Sequence, residues 1–203
     1  MCGIVGITST KKVSATILNS LRKLEYRGYD SAGIATLEGG IIKEVKCEGR
    51  VDALEQNLSK QKLEGNIGIG HVRWATHGVP STVNAHPHSS DKVSVVHNGI
   101  IENSTILKKL LIKKGYVFKS QTDTEVIVHL ITEYLKKNDL KNSIIKMLKR
   151  VHGSFALGII FQDQPNLIVG ARRGSPLAVG YGSNENYLGS DSYALKSMTN
   201  KVA

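Results

Sequence analysis

The order of the predicted elements indicates an α+β protein with largely antiparallel sheets. Segments with the pattern of strands are concentrated at the two ends of the chain, and three helical segments occupy the middle. The glycine pair Gly39-Gly40 joins two apolar segments as a hairpin, whose strands are antiparallel. The 203 residues suit one domain or two small ones, and no repeat or linker divides them. We therefore expect a single domain over residues 1–203.

The first half of the chain is predicted to consist mainly of short strands. A helix is predicted over 13–25, because apolar side chains recur there at helical spacing, at Val13, Ile17, Leu21 and Leu24. A polar, glycine-rich loop over 26–33 follows it, and an ordered surface loop without regular structure is expected at 79–92. The remaining elements are a short helix at 51–58 and strands at 4–7, 34–37, 41–47, 67–72 and 93–96, the last ending in His97-Asn98-Gly99.

The second half is predicted to contain three helices followed by four strands. The first helix, 103–114, is expected to end at Gly115 and to bury one stripe, formed by Ile106, Leu107, Leu110 and Leu111. The second is expected to begin at a capping box, residues 122–125, and to end near residue 137. The third, 140–151, is expected to direct Ile144, Ile145 and Leu148 inward. The strands are predicted at 155–161, 167–171, 177–182 and 187–189.

Composition and charge argue against several classes of function. The net charge of +10 raises nucleic acid as a partner, but the lysines occur in helical pairs and no aromatic-basic repeat for base stacking is present. No apolar run approaches the roughly 18 residues of a membrane span, and no secretory signal is visible. Two cysteines, Cys2 and Cys47, do not form a disulfide framework, and Cys47 is expected to be structural. We expect a cytoplasmic protein that binds neither nucleic acid nor a membrane.

Several histidines raise the question of a metal site. His86-Pro87-His88 places a proline between two histidines, which is not a ligand spacing recognised for zinc. Structural hydrogen bonding is the expected role of these side chains and of His71, His77 and His97. We expect neither a metal nor a cofactor.

The first residues of the chain contain the candidate nucleophile. Cys2 directly follows the initiator methionine and leads into an apolar segment that is predicted to be a buried strand. If Met1 is removed, the α-amine of Cys2, with an ordinary pKa of about 7.7–8.0, can act as the base for its own thiol. A Cys-His pair with His77 or His97 is the alternative, and it requires no processing. A plain frayed terminus is the third interpretation.

Three further residues or pairs lie at strand ends or helix starts, where a scaffold presents polar groups to a ligand. Arg73 can bind a carboxylate through two parallel hydrogen bonds. Asn98-Gly99 offers the two donors of an oxyanion hole, and Asp123 can bind an amine. Singly they have plainer interpretations as a surface ion pair, a type I′ turn and part of a helix cap. Together with Cys2 they describe hydrolysis of an amino-acid side-chain amide, with glutamine as the obvious substrate.

These motifs resemble those of a known family. The chain is similar to the N-terminal glutaminase domains of the glutamine–fructose-6-phosphate aminotransferases, which are class II glutamine amidotransferases of the Ntn-hydrolase superfamily. Other class II amidotransferases usually lack the Tyr-Arg-Gly-Tyr-Asp-Ser and Trp-Ala-Thr-His-Gly sequences. The motifs cover most of the chain in the family's order: Met1-Cys2-Gly3-Ile4-Val5-Gly6, residues 24–33, residues 70–78, Asn84-Ala85-His86-Pro87-His88, residues 97–103 and residues 120–125.

The resemblance implies a four-layer αββα fold, with Cys2 on a strand at the sheet edge, and it implies a role for each site residue. Arg73, Thr76 and His77 would bind the substrate carboxylate. Asp123 and the Gly99 carbonyl would bind the α-amine, and Asn98 with the Gly99 N–H would form the oxyanion hole. Arg27 would border the Cys2 site, and Trp74 would belong to a lid.

The resemblance also sets expectations about partners. The complete enzymes of the family continue into two sugar-isomerase lobes that bind fructose 6-phosphate and receive the ammonia, and they are expected to be homo-oligomers. This chain, which ends at Ala203, is expected to lie within the glutaminase domain or to end near its boundary. It would bind L-glutamine but not the sugar. The alternatives are an inactive regulatory or interaction domain on the same fold, and the glutaminase domain of another class II amidotransferase.

Overall fold

The computed structural model describes residues 2–196 and 198–203 and contains ten strands and six α-helices within them. A single 3₁₀ turn, Glu25–Arg27, follows the first helix. In chain order the elements are β1 (Gly3–Thr8), α1 (Ser14–Leu24), β2 (Ser31–Glu38), β3 (Ile41–Glu48), α2 (Val51–Lys60), β4 (Ile67–Arg73), β5 (His88–Ser89), β6 (Val93–Ile101), α3 (Ser104–Lys113), α4 (Glu125–Leu135), α5 (Leu140–Arg150), β7 (Gly153–Phe161), β8 (Ile168–Arg173), β9 (Ala178–Tyr181), β10 (Asn186–Gly189) and α6 (Ser192–Leu195).

The strands form two antiparallel sheets. One has six strands in the order β3-β2-β4-β1-β10-β9, and the other has four in the order β5-β6-β7-β8. Strand β1 pairs with β4 on one side and with β10 on the other, so that Val5 faces both Gly70 and Gly189. The expectation that Cys2 lies on an edge strand is therefore wrong. It lies at the end of an interior strand, because the last strand of the chain pairs with the first.

Three apolar clusters hold the layers together. The first fills the space between α1, α2, α6 and the six-stranded sheet, and the second lies between α3, α4, α5 and the four-stranded sheet. The third lies between the two sheets and is formed by Ile4, Ala35, Leu37, Ile67, Ile69, Val96, Ala156 and Ile160. Side chains of β1 alternate between the first and third clusters, as the period of a strand requires. The order of layers is αββα, which confirms the predicted fold class.

The hairpin and strand predictions are largely confirmed, with two corrections near the candidate site. Gly39 and Gly40 have φ of 55° and 81°, as a tight hairpin needs. Strand β6 continues to Ile101 through pairing with β7, so His97-Asn98-Gly99 lies inside a strand, and the type I′ turn interpretation is wrong. Strand β2 begins at Ser31, because the end of the predicted loop 26–33 pairs with β3 and β4. The short strand β5 and the helix α6 were not predicted, and the prediction of a surface loop at 79–92 is wrong for residues 84–88, which are buried.

The buried faces predicted for α3 and α5 need correction. In α3 only Leu107 and Leu111 of the predicted stripe are buried, while Ile106 and Leu110 are exposed. In α5 Met147 is buried and Ile145 is exposed. Both α3 and α5 pack against α4. The residues described by the structure include no helix that is long and apolar enough to cross a membrane.

The predicted capping box at 122–125 is also wrong. Helix α4 begins at Glu125, and its N-cap residue Thr124 makes no side-chain capping bond. The Glu125 carboxylate instead accepts hydrogen bonds from the backbone N–H groups of Lys119 and Ser120, at 2.8 and 2.7 Å. The loop before α4 therefore folds back onto the start of the helix. Gly115, with φ of 90°, does follow the end of α3 as predicted.

Candidate active site

The Cys2 thiol lies against the backbone that follows β4. The Trp74 N–H donates a hydrogen bond to Cys2 Sγ at 3.2 Å, and Sγ lies 3.5 Å from the Trp74 carbonyl. This contact follows from the antiparallel pairing of β1 with β4, which places Gly3 opposite Val72. A Cβ on Gly3 would stand 2.8 Å from a Val72 methyl group, so glycine permits the close approach. The prediction of a frayed terminus at Cys2 is therefore wrong.

Two side chains bind the Cys2 carbonyl oxygen. Arg27 Nε donates to it at 2.9 Å, and Asn98 Nδ2 donates to it at 3.0 Å. The guanidinium of Arg27 is itself buried and contacts Asp191 through an Nη1–Oδ2 distance of 2.8 Å. Asp191 also caps α6 by accepting from the Ala194 N–H at 2.9 Å. The backbone of the candidate nucleophile is thus held by the loop after α1, by β6 and by the end of β10.

The environment of Cys2 keeps the thiol protonated. Burial raises the pKa of the Cys2 thiol, although the hydrogen bond from the Trp74 N–H and the charge of Arg73 oppose that rise. At neutral pH the thiol needs a base to become the nucleophilic thiolate. The expectation that Met1 is removed concerns a residue outside the described part of the chain, so the α-amine stays a prediction.

The hydrogen bonds do not pair Cys2 with a histidine. Within residues 2–196 and 198–203, those of Cys2 Sγ go only to the Trp74 backbone. His97 Nδ1 lies 2.9 Å from Thr124 Oγ1, and His77 Nδ1 lies 3.3 Å from Thr76 Oγ1. Burial also lowers the pKa of His97. These contacts favour the α-amine, rather than the imidazole of His77 or His97, as the base for the Cys2 thiol.

Asn98 and Gly99 lie on β6 beside Cys2. The Asn98 amide donates from Nδ2 to the Cys2 carbonyl and to Ser190 Oγ, the latter at 3.1 Å. An amide nitrogen has two protons, so an oxyanion at this position must share or replace the bond to the Cys2 carbonyl. Gly99 has φ of 123°, and a Cβ there would meet the Ser154 carbonyl oxygen at 2.0 Å. Only glycine fits this point of the strand.

Arg73 is buried at the end of β4, so the interpretation as a surface ion pair is wrong. It is 3% exposed, and its guanidinium folds over the following loop. The Nη2 group donates to the Gly78 carbonyl at 3.0 Å and also to the His77 carbonyl. Nη1 lies 3.9 Å from an oxygen of Asp30, whose other oxygen accepts from the Ala75 N–H. The loop that contains Trp74, Thr76 and His77 is therefore organised around this cation.

Asp123 lies in the loop between α3 and α4 and is buried. Its Oδ2 accepts from the Ile101 N–H at 2.7 Å, and its Oδ1 lies 4.0 Å from His97 Nδ1. The carboxylate is thus fixed to the end of β6 rather than to the start of α4, and its interpretation as a helix cap is wrong. One of its oxygens keeps capacity to accept from a ligand.

One small cavity joins most of the predicted residues. Its lining includes Cys2, Arg73, Trp74, Thr76, His77, Gly99 and Asp123, together with His97, the alternative candidate base, and with His86, Thr122 and Thr124, which were not predicted as site residues. Trp74 is half-exposed at this site, and its ring meets the edge of Tyr29 with 5.6 Å between centroids. Arg27 and Asn98 do not line the cavity but bind the Cys2 backbone.

Four histidines at this site, His71, His86, His88 and His97, are buried. His86 and His97 line the cavity, and the His86 ring contacts the rings of His71 and His88. Burial lowers the pKa of His71 and of His88 to about 3, and it lowers that of His86 well below its usual value. All four are therefore neutral at pH 7. His86 Nε2 and His97 Nδ1 share the hydroxyl of Thr124, at 2.8 and 2.9 Å. Over the described residues no group of three His, Cys, Asp or Glu side chains is arranged to hold a metal ion.

Sequence reasoning missed Ser190 and Asp191, which contact the residues around Cys2 from the far end of the chain. Ser190 Oγ accepts from the Ile4 N–H as well as from Asn98. The only signal was their position directly after the last predicted strand. Because β10 pairs with β1, that position lies next to Cys2.

Known proteins are similar to this chain over its whole length. Residues 71–197 match the family model described as a glutamine amidotransferase domain. The whole chain is 53% identical to glutamine–fructose-6-phosphate aminotransferase [isomerizing] of Mesorhizobium japonicum, of which it covers 33%. It is 50% identical to the protein of that name from Zymomonas mobilis, of which it covers 34%. The chain thus spans about a third of the length of these curated relatives.

Solved structures give the same fold. Glutamine phosphoribosylpyrophosphate amidotransferase from B. subtilis superposes with a TM-score of 0.84 and 29% identity, over 96% of this chain and 43% of that one. A glutamine aminotransferase class-II domain protein from Silicibacter pomeroyi matches with a TM-score of 0.64 over 93% of this chain and 88% of that one. At 14% identity the second match shows the fold alone. The resemblance seen in the sequence is confirmed, and the chain belongs to the glutamine amidotransferase domain family.

Proposed function

We propose that this chain hydrolyses L-glutamine to glutamate and ammonia, with Cys2 as the nucleophile. The observation that carries the proposal is that a thiol, a guanidinium and a carboxylate, those of Cys2, Arg73 and Asp123, line one cavity. A free amino acid with a side-chain amide has the complementary groups, namely an α-carboxylate, an α-amine and an electrophilic carbonyl.

Substrate binding uses the two charged side chains. Arg73, assisted by Thr76 and His77, binds the α-carboxylate, and Asp123 with the Gly99 carbonyl binds the α-amine. Asp123 is suited to this role because one of its oxygens is anchored to the Ile101 N–H, which fixes the position of the other. Trp74 is half-exposed at the cavity, where it can close over the ligand as a lid.

The reaction proceeds through a thioester. The Cys2 α-amine, once Met1 is removed, takes the thiol proton, and Sγ attacks the side-chain carbonyl carbon of glutamine. Asn98 Nδ2 and the Gly99 N–H stabilise the oxyanion of the tetrahedral intermediate. The intermediate collapses as the ammonium form of the α-amine protonates the leaving nitrogen, and ammonia departs. Water then attacks the glutamyl thioester, which releases glutamate and restores the thiol.

The complete enzyme would use the ammonia for synthesis. The two curated relatives are named as aminotransferases of glutamine and fructose 6-phosphate. We propose that residues 1–203 form the glutaminase domain of such an enzyme, a cytoplasmic homo-oligomer. Ammonia would pass to fructose 6-phosphate, bound by the isomerase domains in the part of the relatives that this chain does not match. The 203 residues alone would release ammonia to solvent.

The test is direct measurement of both products. The purified chain is incubated with glutamine, and glutamate and ammonia are quantified against the Cys2→Ala variant. We expect equal amounts of the two products from the wild type and none from the variant. A correctly folded wild type that forms neither product would refute the proposal and favour an inactive regulatory domain. Glucosamine 6-phosphate formed from glutamine and fructose 6-phosphate by this chain would contradict the assignment of ammonia release to solvent.

A further inference from the structure

We propose that His71 is a positioning residue for the reaction, which acts by fixing the orientation of the Asn98 side-chain amide. The inference rests on the proposed function, because it assigns a supporting residue to Asn98, one of the two proposed oxyanion donors. His71 lies on β4, opposite Ile4 of β1 and Gly33 of β2, and is fully buried. It does not line the cavity and acts through Asn98.

The hydrogen bonds of His71 determine which of its nitrogens carries the proton. Its Nε2 lies 3.0 Å from the His97 carbonyl oxygen and 3.1 Å from Asn98 Oδ1. A carbonyl oxygen only accepts hydrogen bonds, so Nε2 must be the protonated nitrogen. Nε2 therefore presents a donor to the Asn98 amide, and the amide must turn its oxygen toward His71.

The other end of the Asn98 amide is then directed at the reaction centre. With Oδ1 on His71, the Nδ2 group faces the Cys2 carbonyl and Ser190 Oγ, at 3.0 and 3.1 Å. The reverse orientation would place Oδ1 against the Cys2 carbonyl and Nδ2 against the His71 N–H, which leaves acceptor facing acceptor and donor facing donor. It would also present an oxygen, rather than a donor, to the developing oxyanion.

His71 is built to remain a single neutral tautomer. Burial lowers its pKa to about 3, although its bonds to Asn98 and the His97 carbonyl oppose this, and neighbouring His97 and Arg73 lower it further. Its ring stacks on that of His86 with 4.3 Å between centroids and 30° between planes. In the part of the chain that the structure describes, no group bonds to Nδ1, as befits an unprotonated nitrogen. The ring therefore stays neutral, with the donor at Nε2, near neutral pH.

A double-mutant cycle tests the inference. His71→Leu removes the donor. We expect kcat to fall roughly 10-fold and KM for glutamine to stay within about twofold of the wild-type value. This loss in kcat is smaller than the roughly 10²–10³ expected when an oxyanion donor itself is deleted. In the Asn98→Ala background the same substitution should change kcat by less than about twofold, because no amide remains to be oriented. His71→Gln, which keeps an N–H donor, should restore most of the activity.

A matched control separates positioning from general loss of packing. His88 is also buried with a pKa of about 3, but its Nε2 bonds to Thr122 Oγ1 and not to Asn98. His88→Leu should destabilise the protein as much as His71→Leu does, and its effect on kcat should be the same whether or not Asn98 is present. An equal loss of kcat for His71→Leu in both backgrounds would overturn the inference. An unchanged kcat in the His71→Leu single variant would also overturn the inference.

The wild-type protein provides a measurement that needs no variant to fold. Nitrogen-15 NMR of the histidine rings should show His71 protonated at Nε2 and unprotonated at Nδ1 throughout pH 6–8. A proton at Nδ1, or a charged ring, would refute the orientation argument. A wild type without glutaminase activity would refute the proposed function, whereas an active wild type with an insensitive His71 would refute only this inference.

Discussion

Replacing Asn98 by alanine tests the oxyanion hole without unfolding the protein. The amide makes hydrogen bonds to the Cys2 carbonyl, Ser190 Oγ and His71 Nε2. Each partner keeps another bond in the variant: the Cys2 carbonyl keeps that of Arg27 at 2.9 Å, His71 keeps the His97 carbonyl at 3.0 Å, and Ser190 keeps the Ile4 backbone. Because no buried group is left without a partner, we expect the free energy of unfolding to fall by only about 1–2 kcal/mol.

The expected effect on catalysis is much larger. Loss of one preformed oxyanion donor typically costs roughly 10²–10³ in kcat, or about 2.7–4 kcal/mol in the barrier. KM for glutamine should change little, because in the proposed binding mode Arg73 and Asp123 hold the other end of the substrate. Steady-state assays of glutamate release give kcat and KM, and thermal unfolding confirms that the variant is folded.

Asn103→Ala is the matched control. Its amide makes two hydrogen bonds, against three for Asn98. Nδ2 donates to the Arg150 carbonyl at 2.9 Å, and Oδ1 accepts from the His152 N–H at 3.0 Å. Asn103 lies at the start of α3, away from the cavity. The kcat of the Asn103→Ala variant should therefore match that of the wild type within about twofold. A kcat for Asn98→Ala within the same twofold range would remove Asn98 from the oxyanion hole.

Two further predictions concern the carboxylate site and the start of α4. Arg73→Lys keeps the charge but loses the planar fork, so KM for glutamine should rise while kcat stays nearly constant, and a collapse of kcat at unchanged KM would assign Arg73 another role. Burial disfavours the ionised form of Glu125, yet the His129 ring 3.5 Å away and hydrogen bonds from Ser120 and the Lys119 N–H together lower its pKa to about 2. Because the pKa of Glu125 is lower in the folded state than its ordinary value of 4.5, the ionised carboxylate stabilises the folded protein above about pH 4.5. This contribution is lost as the pH falls from about 4.5 to about 2. Glu125→Gln should therefore reduce the free energy of unfolding by about 1.5–3 kcal/mol at pH 7 and by less at pH 3. Urea unfolding at the two pH values measures both differences. Equal differences would show that the carboxylate charge does not cause the loss of stability.

Local patterns were sufficient to predict most of the fold. Helical spacing located α1, and apolar segments with turn residues located the strands, because these signals arise within a few neighbouring residues. The predictions failed where a distant segment decides the structure. Asn98-Gly99 has the sequence of a tight turn, but pairing of β6 with β7 keeps both residues in a strand. The four-residue pattern at 122–125 resembles a capping box, but Glu125 bonds to residues before the box instead.

The same distinction applies to the candidate site. Cys2, Arg73, Asn98 and Asp123 could be proposed because their side chains have distinctive chemistry and lie at predicted strand ends or helix starts. Ser190 carries no such signal, and its contact with Asn98 depends on the pairing of the first and last strands. The role inferred for His71 likewise depends on two interatomic distances that no spacing in the sequence encodes.

Insertion of a lysine between Met1 and Cys2 tests the central claim most directly, because it separates the thiol from a free α-amine. The insertion should block removal of Met1 while leaving the Cys2 thiol and all histidines in place. We expect the wild type to have an intact mass lacking methionine and to hydrolyse glutamine. The variant should fold, as judged by thermal unfolding, and have no measurable glutaminase activity. Near-normal activity in a variant whose uncleaved N-terminus is confirmed by mass would contradict the α-amine mechanism and leave His77 or His97 as the base.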